Sequence, residues 1–205
     1  MNTIARRSIS KKVFGLITAV IAWVAVILQW QLSTGSLVNF LSYFTIQCNL
    51  LVAISLTFSL ALPASQTGKY FSRVSVQTAI ALYIFIVGLV YNLVLRKLNT
   101  FSGLQWAVDN TLHVLVPVLY VFYWVLFVPK GNLKWIEVTR WAVFPLAYVT
   151  YSLVRGPMVH WYPYPFLNLE VLGAQQVFLN IAVIILVFIA AGFISIGINR
   201  SLKKA

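Results

Sequence analysis

The chain has 205 residues, 61% of them hydrophobic and only 9% charged, with a formal net charge of +12 at pH 7. Soluble domains carry roughly a quarter charged residues, so a water-dissolved surface is excluded, and lipid is the solvent that tolerates this composition. The 15 Lys and Arg residues sit between long apolar runs and form no groove or stripe; this excludes a nucleic-acid partner and leaves topology and lipid-headgroup contact as their role.

A membrane span needs about 20 apolar residues. The first such run, 13–31, follows Arg6, Arg7, Lys11 and Lys12. That basic flank suits a signal peptide, but the apolar stretch is long for one and no A-x-A pattern follows, so the run reads as a retained span. Further runs occupy 38–62, 74–95, 111–128, 140–154 and 173–198, the fifth being the shortest. Breakers separate them: Ser33-Thr34-Gly35, Pro63, the stretch from Asn99 to Gly103, Pro129 with Gly131, and Pro163 with Pro165. The expected fold is an all-α integral membrane bundle of six transmembrane helices, one domain over residues 1–205. Cys48, the single cysteine, allows no intrachain disulfide and no CxxC site. It reads as a small packing residue.

Twelve basic residues fall on one side of these spans: Arg6, Arg7, Lys11, Lys12, Lys69, Arg73, Lys130, Lys134, Arg140, Arg200, Lys203 and Lys204. Only Arg96, Lys97 and Arg155 fall on the other. The positive-inside rule then makes this a multi-pass protein of the cell membrane with cytoplasmic N- and C-termini.

With that orientation the polar residues collect at the outer ends. The second span carries Ser42, Thr45 and Asn49 on one helix face. The third ends with Tyr91 and Asn92, the fourth begins with Asp109, Asn110 and His113, the fifth ends with Tyr148, Tyr151, Ser152 and Arg155, and the sixth begins past Glu170, Gln175, Gln176 and Asn180. Polar groups in hydrocarbon cost several kcal/mol unless paired, so a shared polar cavity in the outer leaflet half is the economical expectation. Ser, Thr and Asn also hydrogen-bond between membrane helices with no further role, and Asp109 also fits as an interfacial helix cap. Ionisable groups inside spans are rarer and point to function, which singles out His113.

The chemistry open to such a cavity is narrow. No Gly-rich nucleotide loop, H-E-x-x-H spacing or G-x-S-x-G elbow occurs, and no cofactor is called for. A metal site from Asp109, His113 and His160 is the weaker alternative. A hydroxyl beside an imidazole supports proton transfer and nucleophilic attack. Asp109, four residues before His113, lies on the same helix face and is placed to orient the ring. Pro117 has no N–H for the carbonyl of His113. Counted from the start of the second run, Thr45 lies about seven residues in, roughly 10 Å along the helix, with His113 within the first turns of the fourth. Oxyanion donors are sought among Asn49, Asn110 and Gln47, the last pointing away from the Thr45 face.

Residues 43–50 (YFTIQCNL) and 109–117 (DNTLHVLVP) resemble the androgen-induced-protein family, and residues 155–167 (RGPMVHWYPYPFL) are similar to its bacterial six-span relatives. The animal members are multi-pass threonine hydrolases of fatty acid esters of hydroxy fatty acids. The resemblance implies a catalytic Thr45 and His113 only, and a lipid or fatty acid ester as substrate among the membrane lipids; Asp109, Asn49, Asn110 and Arg155 are read as supporting groups from their placement beside these two. Two functional classes follow: a lipid-ester hydrolase or acyl transferase, and a non-enzymatic binder or carrier of a small apolar ligand. A transporter or channel lacks its repeats, broken helices or filter. Arg155 is expected to pair with Asp109 or Glu170, or to bind a substrate carboxylate. The aromatic–proline stretch from Trp161 to Phe166 reads as an interfacial anchor or a lid.

Overall fold

A computed structural model describes residues 3–98, 100–131 and 133–202. Asn99, Lys203 and Lys204 lie outside the described residues. The described residues are helical, with no strand among them. The helices are α1 (Thr3–Leu32), α2 (Leu37–Leu41), α3 (Phe44–Ala61), α4 (Gln66–Phe71), α5 (Val74–Val90), α6 (Gly103–Asn110), α7 (Val116–Phe127), α8 (Glu137–Val159) and α9 (Leu169–Ser201). Two π-turns interrupt the set, Tyr91–Leu95 directly after α5 and Thr111–Leu115 between α6 and α7.

Among the described residues, five helical stretches are long and apolar enough to cross a membrane: Ser8–Leu32, Phe44–Ala61, Val74–Leu95, Gly103–Phe127 and Leu169–Ser201. The protein is therefore an α-helical membrane bundle. α8 has 23 residues, about 35 Å at 1.5 Å each. Its length suffices, but Glu137, Arg140, Arg155 and the internal Pro145 and Pro157 make it less apolar than the other five.

Two boundaries differ from expectation, and both bear on the site. The second apolar run does not form one helix. Ser42 ends α2, its hydroxyl donating to the Val38 carbonyl at 2.6 Å and its backbone N–H to the same carbonyl at 3.0 Å. α3 starts only at Phe44, so Thr45 is its second residue, in the first turn rather than two turns in. The fourth run begins earlier than its apolar residues indicate. α6 opens at Gly103, whose φ of +57° suits glycine, and places Asp109 inside a helix rather than at a cap.

By its internal contacts the chain divides into two units, residues 1–35 with 45–129, and residues 36–44 with 130–205. In the first unit α7 packs against α5 and α1. Small residues bring α1 close: Ala22 and Ala25 are buried, and a Cβ added at Gly15 would lie 2.3 Å from Leu60 Cδ1. Hydroxyls satisfy the indoles of buried Trp124 and half-buried Trp23, Trp124 Nε1 donating to Thr78 Oγ1 at 2.8 Å and Trp23 Nε1 to Thr57 Oγ1 at 3.2 Å. Cys48 is fully buried, as a packing residue should be.

In the second unit α8 packs on α9. Phe44 lies against the rings of Phe144 and Tyr148. The stretch after α8 folds back on its own unit. Tyr43 makes edge contacts with Trp161 and Tyr164, and Tyr162 and Tyr164 are buried. These tyrosines are thus packing groups, not headgroup anchors. Tyr162 seats on Gly156, where an added Cβ would fall 2.0 Å from Tyr162 Cε1. Gly156→Ala is therefore expected to unseat this loop and lower stability by about 1–3 kcal/mol, read as a lowered melting temperature of the detergent-solubilised protein. An unchanged melting temperature would show that Tyr162 has another seat.

Candidate active site

The site lies in the first unit and is made by the two π-turns. Such turns arise where a side chain enters the i→i−4 ladder. At the end of α5, Asn92 Nδ2 donates to the Gly88 carbonyl at 2.7 Å, and the Arg96 N–H reaches back to Tyr91 O at 2.8 Å. Between α6 and α7, His113 Nδ1 lies 2.9 Å from the Asp109 carbonyl, Thr111 Oγ1 donates to Ala107 O at 2.7 Å, and the Val116 N–H reaches Thr111 O. Pro117 supplies no N–H to the His113 carbonyl. That carbonyl faces Gly88, where an added Cβ would lie 3.2 Å from it and 3.2 Å from Pro117 Cβ. A glycine on α5 thus lets the two irregular segments approach closely.

The π-turns bring Tyr91 and His113 face to face, their ring centroids 4.0 Å apart and the planes 13° from parallel. Tyr91 also donates its hydroxyl proton to Asp109 Oδ2. The other carboxylate oxygen, Oδ1, lies 3.2 Å from His113 Nδ1. Both neighbours of Nδ1, a carbonyl and a carboxylate, only accept hydrogen bonds. They hold the ring in the tautomer with hydrogen on Nδ1 and leave Nε2 as the acceptor. Nε2 lies 3.2 Å from Thr45 Oγ1. A hydroxyl, an imidazole and a carboxylate therefore stand in series, with a tyrosine stacked on the second and bonded to the third. Thr45 is 6% exposed and Asp109 7%, so the relay is shielded from water.

Of the residues expected from sequence, Thr45, His113, Asp109 and Asn49 meet here. Asn49 plays another part than oxyanion donor. Its Nδ2 donates to the carbonyls of Thr45 at 2.8 Å and Leu112 at 3.1 Å, which spends both its N–H groups. It braces α3 against the His113 segment. Asn110 is also committed, Nδ2 donating to Trp106 O at 2.9 Å while Oδ1 accepts from Arg96 Nη2 at 3.3 Å.

Arg155 belongs to the second unit, and within that unit the expected acid, Glu170, is not its partner. It donates to Asn39 Oδ1 at 2.5 Å and lies over the Trp161 ring. Glu170 is taken by His160 at 2.8 Å, and Asp109 by Tyr91 and His113. Among the described residues no three His, Cys, Asp or Glu side chains gather as a metal site.

Sequence reasoning placed Tyr91 at the outer end of its span but missed its role. The pairing joins residues 18 apart through two π-turns, and no local spacing encodes it. No protein-family model, curated protein or solved structure matches this chain.

Proposed function

We propose that this protein is a membrane-embedded hydrolase or acyl transferase of lipid esters, with Thr45 as nucleophile, His113 as general base and Asp109 as the carboxylate that orients the ring. One observation carries the reading: Thr45 Oγ1 lies 3.2 Å from a histidine nitrogen whose ring partner is already anchored. In the proposed reaction His113 Nε2 takes the hydroxyl proton as Thr45 Oγ1 bonds to the ester carbonyl carbon. The tetrahedral adduct expels the alkoxide, which leaves with the proton from His113. Water, or a second alcohol, then repeats the sequence on the threonyl ester and frees Thr45. Asn49 Nδ2 is engaged with two carbonyls, so the backbone amide of Ile46 is proposed for the oxyanion. It follows Thr45 in the first turn of α3, where amides have no acceptor a turn back within the helix. The threonine–histidine pairing is the one implied by the resemblance to the androgen-induced-protein family. A fluorophosphonate probe should label the parent chain and fail to label Thr45→Ala, with His113→Ala labelled slowly. An unlabelled parent would favour the binder or carrier of an apolar ligand, the reading supported by the burial of Thr45.

We also propose that α8 is a sixth span, so that both termini are cytoplasmic and the Thr45–His113 pair is reached from the outer leaflet. Cys48 is fully buried and should not react with an impermeant thiol reagent, so the native chain serves as background. In intact cells a cysteine at Ser36, Ser102 or Met158 should be labelled, and one at Lys130 or Ser201 protected. Labelling at Ser201 with protection at Met158 would mean that α8 does not cross.

A further inference from the structure

Arg96 closes the first π-turn, and its guanidinium reaches both segments that carry the candidate site. Nη1 donates to Asn92 Oδ1 at 2.7 Å and Nη2 to Asn110 Oδ1 at 3.3 Å. Asn92 follows Tyr91 in the chain, and Asn110 follows Asp109. Both amides are themselves fixed, Asn92 Nδ2 on Gly88 O and Asn110 Nδ2 on Trp106 O. Each therefore turns its oxygen to the guanidinium, and the planar fork is held in place rather than free to wander. Its acceptors are nevertheless neutral. The three acidic side chains of the sequence are engaged elsewhere, Asp109 with His113, Glu137 with Arg140 and Glu170 with His160. Among the described residues no carboxylate forms an ion pair with Arg96, which is exposed. Two of its five N–H groups are used, and the rest remain for a ligand. Under the proposed topology Arg96 stands on the side where basic residues are scarce, so an orientation signal does not account for it.

We propose that Arg96 is the anion-binding residue beside Thr45 and His113, holding a carboxylate or phosphate of an amphiphilic ligand whose chain runs toward the threonine. A guanidinium fork matches either group through paired hydrogen bonds. The proposal rests on reading the Thr45–His113 site as one that admits esters, and it names the charge those esters carry.

The test separates binding from turnover. The full chain in nanodiscs of zwitterionic lipid is titrated calorimetrically with dodecanoate, dodecyl phosphate and dodecanol, with empty nanodiscs as blank. The parent should bind at least one anion tenfold or more above the alcohol, a difference of about 1.4 kcal/mol or more, because the guanidinium bonds to it are charge-assisted. Arg96→Gln should remove that preference and Lys97→Gln should keep it. Arg96→Lys should retain it in weakened form and Asn110→Ala, which removes one brace, should reduce it. These two carry the test if Arg96→Gln does not fold. Preference for phosphate assigns the anion to a lipid headgroup, and preference for dodecanoate to a free acyl chain. Equal affinity for acid, phosphate and alcohol, or a preference that survives in Arg96→Gln, would overturn the proposal. If the preference depends on Arg96 but no ester is turned over, the anion site stands and the hydrolase reading falls. If esters are turned over without regard to Arg96 or to substrate charge, the anion site alone falls.

Discussion

His113→Ala is expected to abolish the proposed ester turnover of the detergent-solubilised protein while leaving the helical fold intact. Removing a positioned general base costs on the order of 10²–10⁴ in rate, and in the proposed reaction the same ring also sets the direction in which the Thr45 proton leaves. Thr45→Val, which keeps the branched shape and removes the hydroxyl, should be equally inactive. Thr45→Ser keeps a nucleophile and should retain measurable turnover. The losses should fall on kcat with KM little changed, as for interactions made only in the transition state. Because the two residues act as one unit, the double variant should be no worse than either single one. Turnover that persists in both Thr45→Val and His113→Ala would mean that the chemistry lies elsewhere. A cross-helix hydrogen bond with only a structural purpose predicts the opposite pattern, a lower melting temperature with no activity to lose.

The second large effect is expected at the carboxylate and its tyrosine. In Asp109→Asn the amide presents an N–H toward His113 Nδ1 and competes for the other tautomer, in which Nε2 carries the hydrogen and cannot accept from Thr45. The backbone carbonyl of Asp109, 2.9 Å from Nδ1, still favours the productive form. The expected loss is therefore roughly tenfold to a hundredfold in kcat, smaller than for His113→Ala. Tyr91→Phe keeps the ring that stacks on His113 and removes the hydrogen bond to Asp109. A buried acceptor that loses its donor costs about 1–3 kcal/mol, so this variant should lose stability first and activity second. Tyr91→Ala removes the stack as well and should lose both. Equal activity in Tyr91→Ala and the parent would remove the tyrosine from the positioning role. These variants are read by kcat and KM on a soluble ester, alongside melting temperature.

The composition and the length of the apolar runs determined the class of this protein. Burying a backbone in lipid requires that every N–H and C=O be satisfied within a helix or a closed barrel, and long continuous apolar runs in a chain with 61% hydrophobic residues and 9% charge select the helical bundle. The span from Val74 to Leu95 matches its sequence reading residue for residue. The pairing of Asp109 with His113 was also legible, because four residues make one helical turn and local spacing encodes it. The Thr45–His113 contact was readable only as a shared level and a resemblance, since residues 68 apart meet through packing and not through spacing.

Other features were decided by tertiary structure alone. The break after Ser42 put Thr45 into the first turn of α3, and a hydroxyl-to-carbonyl bond made it inside a run that hydropathy treats as continuous. Within its own unit Arg155 turned to Asn39 and Trp161 instead of Glu170, whose carboxylate is held by His160. Asn49 became a brace because two carbonyls lie within reach of its amide. Tyr91 joined the site because each π-turn widens a helix by a residue and turns a side chain toward the other segment. Hydropathy measures how well a residue dissolves in lipid, and helical periodicity relates neighbours a turn apart. Neither records which carbonyl a side chain takes from the ladder, and those few diverted hydrogen bonds set the geometry around Thr45 and His113.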